Sequence, residues 1–288
     1  MSRVLPILTV VLVIVALWYA AAVRLNAPWV HDQAERAGAP APEFGALVVA
    51  TMNQDRPVLP APHQVVAELA KSTFGMAVTS KKSLVYHGWV TISATLLGFV
   101  MGTGLGILLA VGIIHNKAMD QSVLPWAIAS QTIPILAIAP MIIVVLNSVG
   151  VTGLIPKAII SAFLSFFPVL VGMVKGLRSP EQMQLDLLST WSASNSQRFW
   201  LLRLPASMPY LFASLKVGIA ASLVGAIVGE LPTGAVAGLG ARLLSGSYYG
   251  QTVQIWAALI AAALVAAGLV SLIGLIERRT LRRMGMAR

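Results

Sequence analysis

This 288-residue chain has no cysteine, and charge is scarce, at 10% of residues. The first absence excludes disulfides, thiolate metal sites and a cysteine nucleophile. The second excludes an ordinary soluble domain, in which about 25% of residues carry charge. The four histidines (His31, His63, His87, His115) are scattered without metal-ligand spacing. No Gly-x-x-x-x-Gly-Lys-Ser/Thr phosphate loop occurs, so the chain has no ATP site of that kind. His-Glu-x-x-His, paired membrane aspartates and a Ser/His pair at depth are also missing, which leaves an intramembrane hydrolase without its chemistry. No catalytic residue and no metal ligand is assigned.

What remains is apolar. Hydrophobic residues make up 57% of the chain, and the mean hydropathy is +0.83. These values indicate an integral membrane protein. The net charge of +10 would point to nucleic acid in a soluble protein. Here the basic residues sit at the ends of apolar runs, where they set topology, so no nucleic-acid partner is expected.

A membrane helix needs about 20 mainly apolar residues. Six runs qualify: 4–23, 88–114, 122–146, 152–174, 210–231 and 254–276. The expected fold is therefore all-α and polytopic. Arg3, Lys117, Lys175, Arg178, Arg198, Arg203 and the tail from Glu277 through Arg283 to Arg288 fall on one face. The opposite short loops hold no charge (147–151) or only Arg242 (232–253). Positive charge marks the cytoplasmic side, so both termini and the 175–209 loop are expected there. The first run, with Arg3 and Ala20-Ala21-Ala22, also fits a cleavable signal peptide. Its length favours a retained helix.

The expected organisation is an N-terminal span (1–23), an extracytoplasmic segment (24–87), a five-helix core (88–276) and a basic tail (277–288). The first half of 24–87, rich in Pro, Ala and acid, reads as irregular. After Leu59-Pro60-Ala61-Pro62, residues 63–74 read as a short amphipathic surface helix. No long internal repeat is visible, which argues against an inverted-repeat carrier.

Within the core, Ala94, Gly98, Gly102, Gly106 and Ala110 recur every four residues, and Ser214, Gly218, Ser222 and Ala226 repeat the device. Small residues at this spacing let helices approach closely in lipid. Glu230 continues the second stripe. It reads either as a buried interhelical carboxylate or as a helix-end acid reaching the headgroups. Lys157 and Lys216 lie near span ends, where snorkelling accounts for them. Gln131, Thr132, Pro134 and Pro140 fall in the third run, where proline predicts a kink. They are pathway or gate candidates, against a purely structural kink.

Between the fourth and fifth runs lies a polar loop. Pro180 with Ser179 as N-cap predicts one short helix to about Thr190. Ser192–Ser196 predicts a break, and a second helix is expected from Ser196 to Pro205. Phe199 and Trp200 offer aromatic anchor area.

The loop resembles the coupling loop of ABC importer permeases of the binding-protein-dependent type, in the nitrate/sulfonate/taurine branch. That pattern is Glu-Ala-Ala, three residues, Gly, nine residues, then Ile-x-Leu-Pro. Here Asp186 stands for Glu, Leu187-Leu188 for the alanines, Ser192 for Gly, and Leu202-Arg203-Leu204-Pro205 closes it. Ala193, Ser194 and Phe199 also match. Leu59-Pro-Ala-Pro62, Ile133-Pro-Ile-Leu-Ala-Ile-Ala-Pro140, Phe166-Phe167-Pro168, Gly229-Glu230 and Gly238-Leu-Gly240 resemble further landmarks in the same order.

The resemblance implies a type I importer permease with about six spans in a bacterial inner membrane. It implies a transport subunit rather than an enzyme, paired with a second permease chain, commonly an identical one. It also implies two ATPase subunits that hold ATP and Mg, and an extracytoplasmic binding protein that delivers a small solute. This chain itself is expected to bind no cofactor. A secondary carrier or channel without an ATPase is the alternative.

Overall fold

The computed structural model describes residues 4–232 and 236–286. Arg3 and Arg288, both used in the charge argument, lie outside them. Among the described residues the chain is helical, without strands. It divides into two compact units, residues 1–88 with 241–262, and residues 89–240 with 263–288.

In the first unit, α1 (Val4–Arg36), α2 (Phe44–Met52) and α3 (Pro62–Phe74) are the main elements. The sequence predicts irregular structure after residue 23. Instead α1 runs on to Arg36, and α2 forms from Phe-Gly-Ala-Leu-Val-Val-Ala-Thr-Met. The apolar character of that run outweighs the proline-rich composition around it. The amphipathic helix at 63–74 is present as α3, opened by Pro62 in the first turn, where a missing N–H costs nothing. The Ala61 N–H donates to Gln64 Oε1 at 3.0 Å and closes the cap. Asn26 of α1 is fully buried; it donates to Leu59 O and accepts from the Val58 N–H.

The second unit holds the core. The helix α4 (Leu84–His115) begins in the first unit and continues here, followed by α5 (Lys117–Ser130) and α6 (Ile135–Ser148). The third apolar run is therefore two helices with a break between them. The helices α5 and α6 meet at a break and bend by 98°. Asn116 caps α5 by accepting from the Ala118 N–H at 2.9 Å. Pro134 sits at the N-cap of α6. The residue before a proline is driven out of helical geometry, so Thr132-Ile133-Pro134 separates two helices.

Next come α7 (Leu154–Leu177), α8 (Gln182–Thr190), α9 (Asn195–Arg198), a π-helical turn (Phe199–Arg203) and α10 (Leu204–Gly229). The chain closes with α11 (Leu239–Tyr248) and α12 (Thr252–Arg283). Among the described residues, five helices are long and apolar enough to cross a membrane, and the bent pair makes a sixth candidate.

The core is an α4–α7–α10 sandwich built on small residues. A Cβ added at Gly98 would overlap Ser161, one at Gly102 would overlap Ser165, and one at Gly106 would lie 2.8 Å from Phe166 O. From α10, a Cβ at Gly225 would lie 2.7 Å from Ser161 Cα. Gly218 faces Val169 and Phe99. A hydroxyl ladder crosses all three helices. The Ser161 and Ser222 hydroxyls meet at 2.6 Å, and Ser222 Oγ donates to Thr95 O at 2.8 Å. Each hydroxyl is buried with a partner, as membrane interiors demand.

Candidate functional site

Two polar regions interrupt the apolar core, one at each end of α10. At its C-terminal end, Glu230 follows the last helical residue and is 0% exposed. Thr91 Oγ1 lies 3.0 Å from both carboxylate oxygens. The Gly240 N–H donates to Oε2 at 2.9 Å. Lys157 Nζ stands 3.9 Å from Oε1 and donates to Ala237 O at 3.0 Å. The Leu239 N–H donates to Thr91 Oγ1 at 2.9 Å.

One carboxylate thus joins α4, α7, α10 and the segment leading into α11. Gly238, at φ +125°, completes the cradle: a Cβ there would overlap the carboxylate. A buried charge is tolerated only when it is paired and hydrogen-bonded, and this one is both.

The structure resolves the two readings of Glu230 in favour of burial, and it corrects the reading of Lys157. That lysine does not snorkel; it is the counter-ion. Lys216 is likewise ion-paired, to Glu277 of α12. The sequence carried a signal for the first pair, since Lys157 and Glu230 face each other at the ends of adjacent spans. Thr91 had no such signal. The α7 side of the helix packing was also missed, although Ser161, Ser165, Gly172 and Gly176 repeat at near-helical spacing.

At the N-terminal end of α10 lies the polar loop. The first helix is capped at Glu181, whose N–H donates to Gln184 Oε1 at 3.1 Å, and not at Ser179. Ser179 Oγ instead donates back to Gly176 O at 2.7 Å, extending the end of α7. Asp186 lies on exposed α8 and accepts from Gln182 Nε2 at 2.9 Å. Ser192 takes φ +55° at the break, a left-handed geometry that glycine adopts without strain. Ala193 accepts from Arg198 Nε at 3.2 Å. Ser194 caps the second helix reciprocally with Gln197: its N–H donates to Gln197 Oε1 at 2.8 Å, and its Oγ accepts the Gln197 N–H.

The second helix does not stop at Pro205. Leu204 and Pro205 directly follow the π turn, where the Leu204 N–H bonds Phe199 O and the α-helical ladder is already interrupted. The helix is continuous from Asn195 to Gly229 through the π turn. Phe199 is not a surface anchor either. It is 8% exposed, with its ring 5.1 Å from that of His115 at the end of α4. The exposed apolar area belongs to Met183, Leu187, Trp191 and Trp200. Arg203 Nη1 donates to Leu177 O at 3.1 Å, and Arg178 pairs with Asp120 at 2.8 Å, so the loop is tied to α7 and α5.

The pathway candidates of the third run do not converge. Gln131 and Thr132 occupy the break, with Gln131 Nε2 donating to Ser130 Oγ and Thr132 Oγ1 to Ala129 O. Pro134 opens α6, and Pro140 lies inside it, exposed. Glu230 is bonded within its own cluster and joins none of them.

The decisive match covers most of this unit. Residues 102–285 match the family of binding-protein-dependent transport system inner membrane components. The chain belongs to that family. It is 32% identical over 225 residues to the riboflavin transport system permease protein of Chloroflexus aurantiacus, covering 78% of this chain and 80% of the relative. It is 30% identical over 183 residues to the formylaminopyrimidine transport permease protein of Halalkalibacterium halodurans, covering 64% and 68%. A putative aliphatic sulfonates transport permease protein of Bacillus subtilis is 26% identical over 225 residues, 78% of each chain. The protein is thus a multi-pass inner-membrane permease, the membrane-spanning subunit of an ABC importer for a small solute. The resemblance read from the loop and its landmarks holds at the level of the family.

Proposed function

We propose that this permease is driven by a separate pair of ATPase subunits that dock on the α8–π-turn segment, and that it works beside a second, identical permease chain. ATP and Mg belong to the ATPases. Both termini and the docking segment face the cytoplasm, as the basic flanks require. An extracytoplasmic binding protein hands over the solute, which is of the kind the relatives are named for: a small oxyanion or a small heterocycle.

The observation that carries this reading is the exposed apolar face of α8 and the π turn, the latter borne on the same helix that ends beside Glu230. Trp191 is 73% exposed and Met183 75% exposed. Large apolar side chains on a polar loop outside the membrane mark an interaction surface. The apolar windows of α1 and α12 are only 6% buried within the chain, which leaves their faces to lipid and a second copy.

The test is a mild-detergent pull-down of the tagged permease from its host, read by mass spectrometry. Wild type should bring down an ATPase in stoichiometric yield. Trp191→Asp should lose it while eluting as an intact permease. No ATPase with wild type, even with nucleotide trapped by vanadate, overturns the proposal and leaves a carrier.

A further inference from the structure

An open groove of about 430 Å³ lies between α5, α7 and α10, at the root of the polar loop. One face of α7 and its C-terminal cap supplies most of its wall. Val171, Val174, Lys175 and Arg178 follow one another three or four residues apart and so share that face. Along it the lining changes from apolar to cationic within seven residues, about 10 Å of helix. Leu124 of α5 adds to the apolar part, and Tyr210 of α10 stands beside the cations.

The cations are not both spent inside the protein. Arg178 pairs with Asp120 at 2.8 Å, and its fork keeps further N–H donors. Lys175 takes part in no ion pair among the described residues. Its ammonium lies 5.9 Å from the centre of the Tyr210 ring. That ring is 36% exposed, and its hydroxyl is a further donor at the same level. With Asp120 counted, the rim keeps one net positive charge.

A ligand that fits has an anionic head and an apolar body in the same order as the wall. A free phosphate would meet the rim and leave the apolar part uncovered. A zwitterionic lipid would cover the apolar part and bring no net charge to Lys175. Basic pockets between membrane helices hold anionic headgroups, and an aromatic ring with a polar tip suits the boundary between chains and heads. We propose that this groove is a binding site for an anionic glycerophospholipid. Its phosphate sits against Lys175, the free N–H groups of Arg178 and the Tyr210 hydroxyl, and one acyl chain runs along Val171 and Leu124. The leaflet that supplies the lipid follows from the orientation proposed above; the site itself does not depend on it.

The test uses the delipidated full chain in mild detergent, read by native mass spectrometry with phosphatidylglycerol or phosphatidylcholine added. Binding in detergent is blind to topology, so an inverted orientation would leave this result untouched. Phosphatidylglycerol adducts should exceed phosphatidylcholine adducts by about fivefold, the effect of one basic residue near a membrane surface. Lys175→Gln should remove that preference. Lys117→Gln, at the start of α5 and outside the groove, should keep it. Val171→Trp, which fills the acyl path and leaves the cations in place, should lower the adducts of both lipids. Millimolar inorganic phosphate should displace neither. Equal adducts of the two lipids on the wild type overturn the site. Equal losses from Lys175→Gln and Lys117→Gln reduce it to diffuse surface charge, and displacement by phosphate makes it an ion site; either outcome overturns the lipid. Unchanged adducts on Val171→Trp place the lipid elsewhere and do the same.

Discussion

At the scale of single residues, the Glu230 cluster makes the sharpest demand. Removing Lys157 leaves a fully buried carboxylate without its counter-ion, and breaking a buried pair from one side costs about 3 kcal/mol or more. Lys157→Met should therefore lower the unfolding temperature in nanodiscs strongly. Lys157→Met combined with Glu230→Gln should recover much of the loss, because no unpaired charge remains. If the double variant is no better than the single one, the ion pair is not what holds this end together. Ser192 makes the opposite demand. Its φ of +55° is strained for serine, and the family pattern has glycine there. Ser192→Gly should stabilise by up to about 1 kcal/mol, visible as a small rise in unfolding temperature. An unchanged or lower temperature would show that the Ser192 side chain compensates for its backbone.

At the scale of elements, the spans were legible because hydropathy over about 20 residues is a strong signal. The α4 stripe was equally legible, since four-residue spacing maps onto one helix face. The 98° bend between α5 and α6 was not. Pro134 announces a kink, but its angle is set by what each half packs against. The loop's division into two short helices was readable from Pro180 and the Ser192–Ser196 break, whereas the cap at Glu181 in place of Ser179 and the passage through Pro205 were not. A proline reads as a stop, yet Pro205 directly follows the π turn, where the α-helical ladder is already interrupted, and the helix runs on through it. That turn is itself testable. Deleting Leu201 would return the wide turn to α-helical register and rotate the loop by about 100° relative to α10. Uptake should be lost while the chain still inserts and elutes as a single species. Full uptake would show that the loop's orientation carries no stroke.

At the scale of the whole molecule, the charge bias is the basis of the proposed placement of the chain in the membrane. A green fluorescent protein fused after Arg283 should fluoresce, and alkaline phosphatase at the same point should be inactive. The reverse pattern would invert the proposed topology and put the exposed tryptophan of α8 outside the cell. The buried node at Glu230 and the proposed docking face near Trp200 stand at opposite ends of one helix of 35 residues. At 1.5 Å per residue that helix is about 52 Å long, so a tilt of about 5° shifts one end by about 4.5 Å relative to the other. It behaves as an oar, with its rowlock where Ser222 and Gly225 press on Ser161. If the proposed ATPases pull on the blade at the loop, the pull becomes a sideways thrust at the handle, where Glu230 grips three neighbours, and the wide turn at 199–203 is where that thrust can leak away.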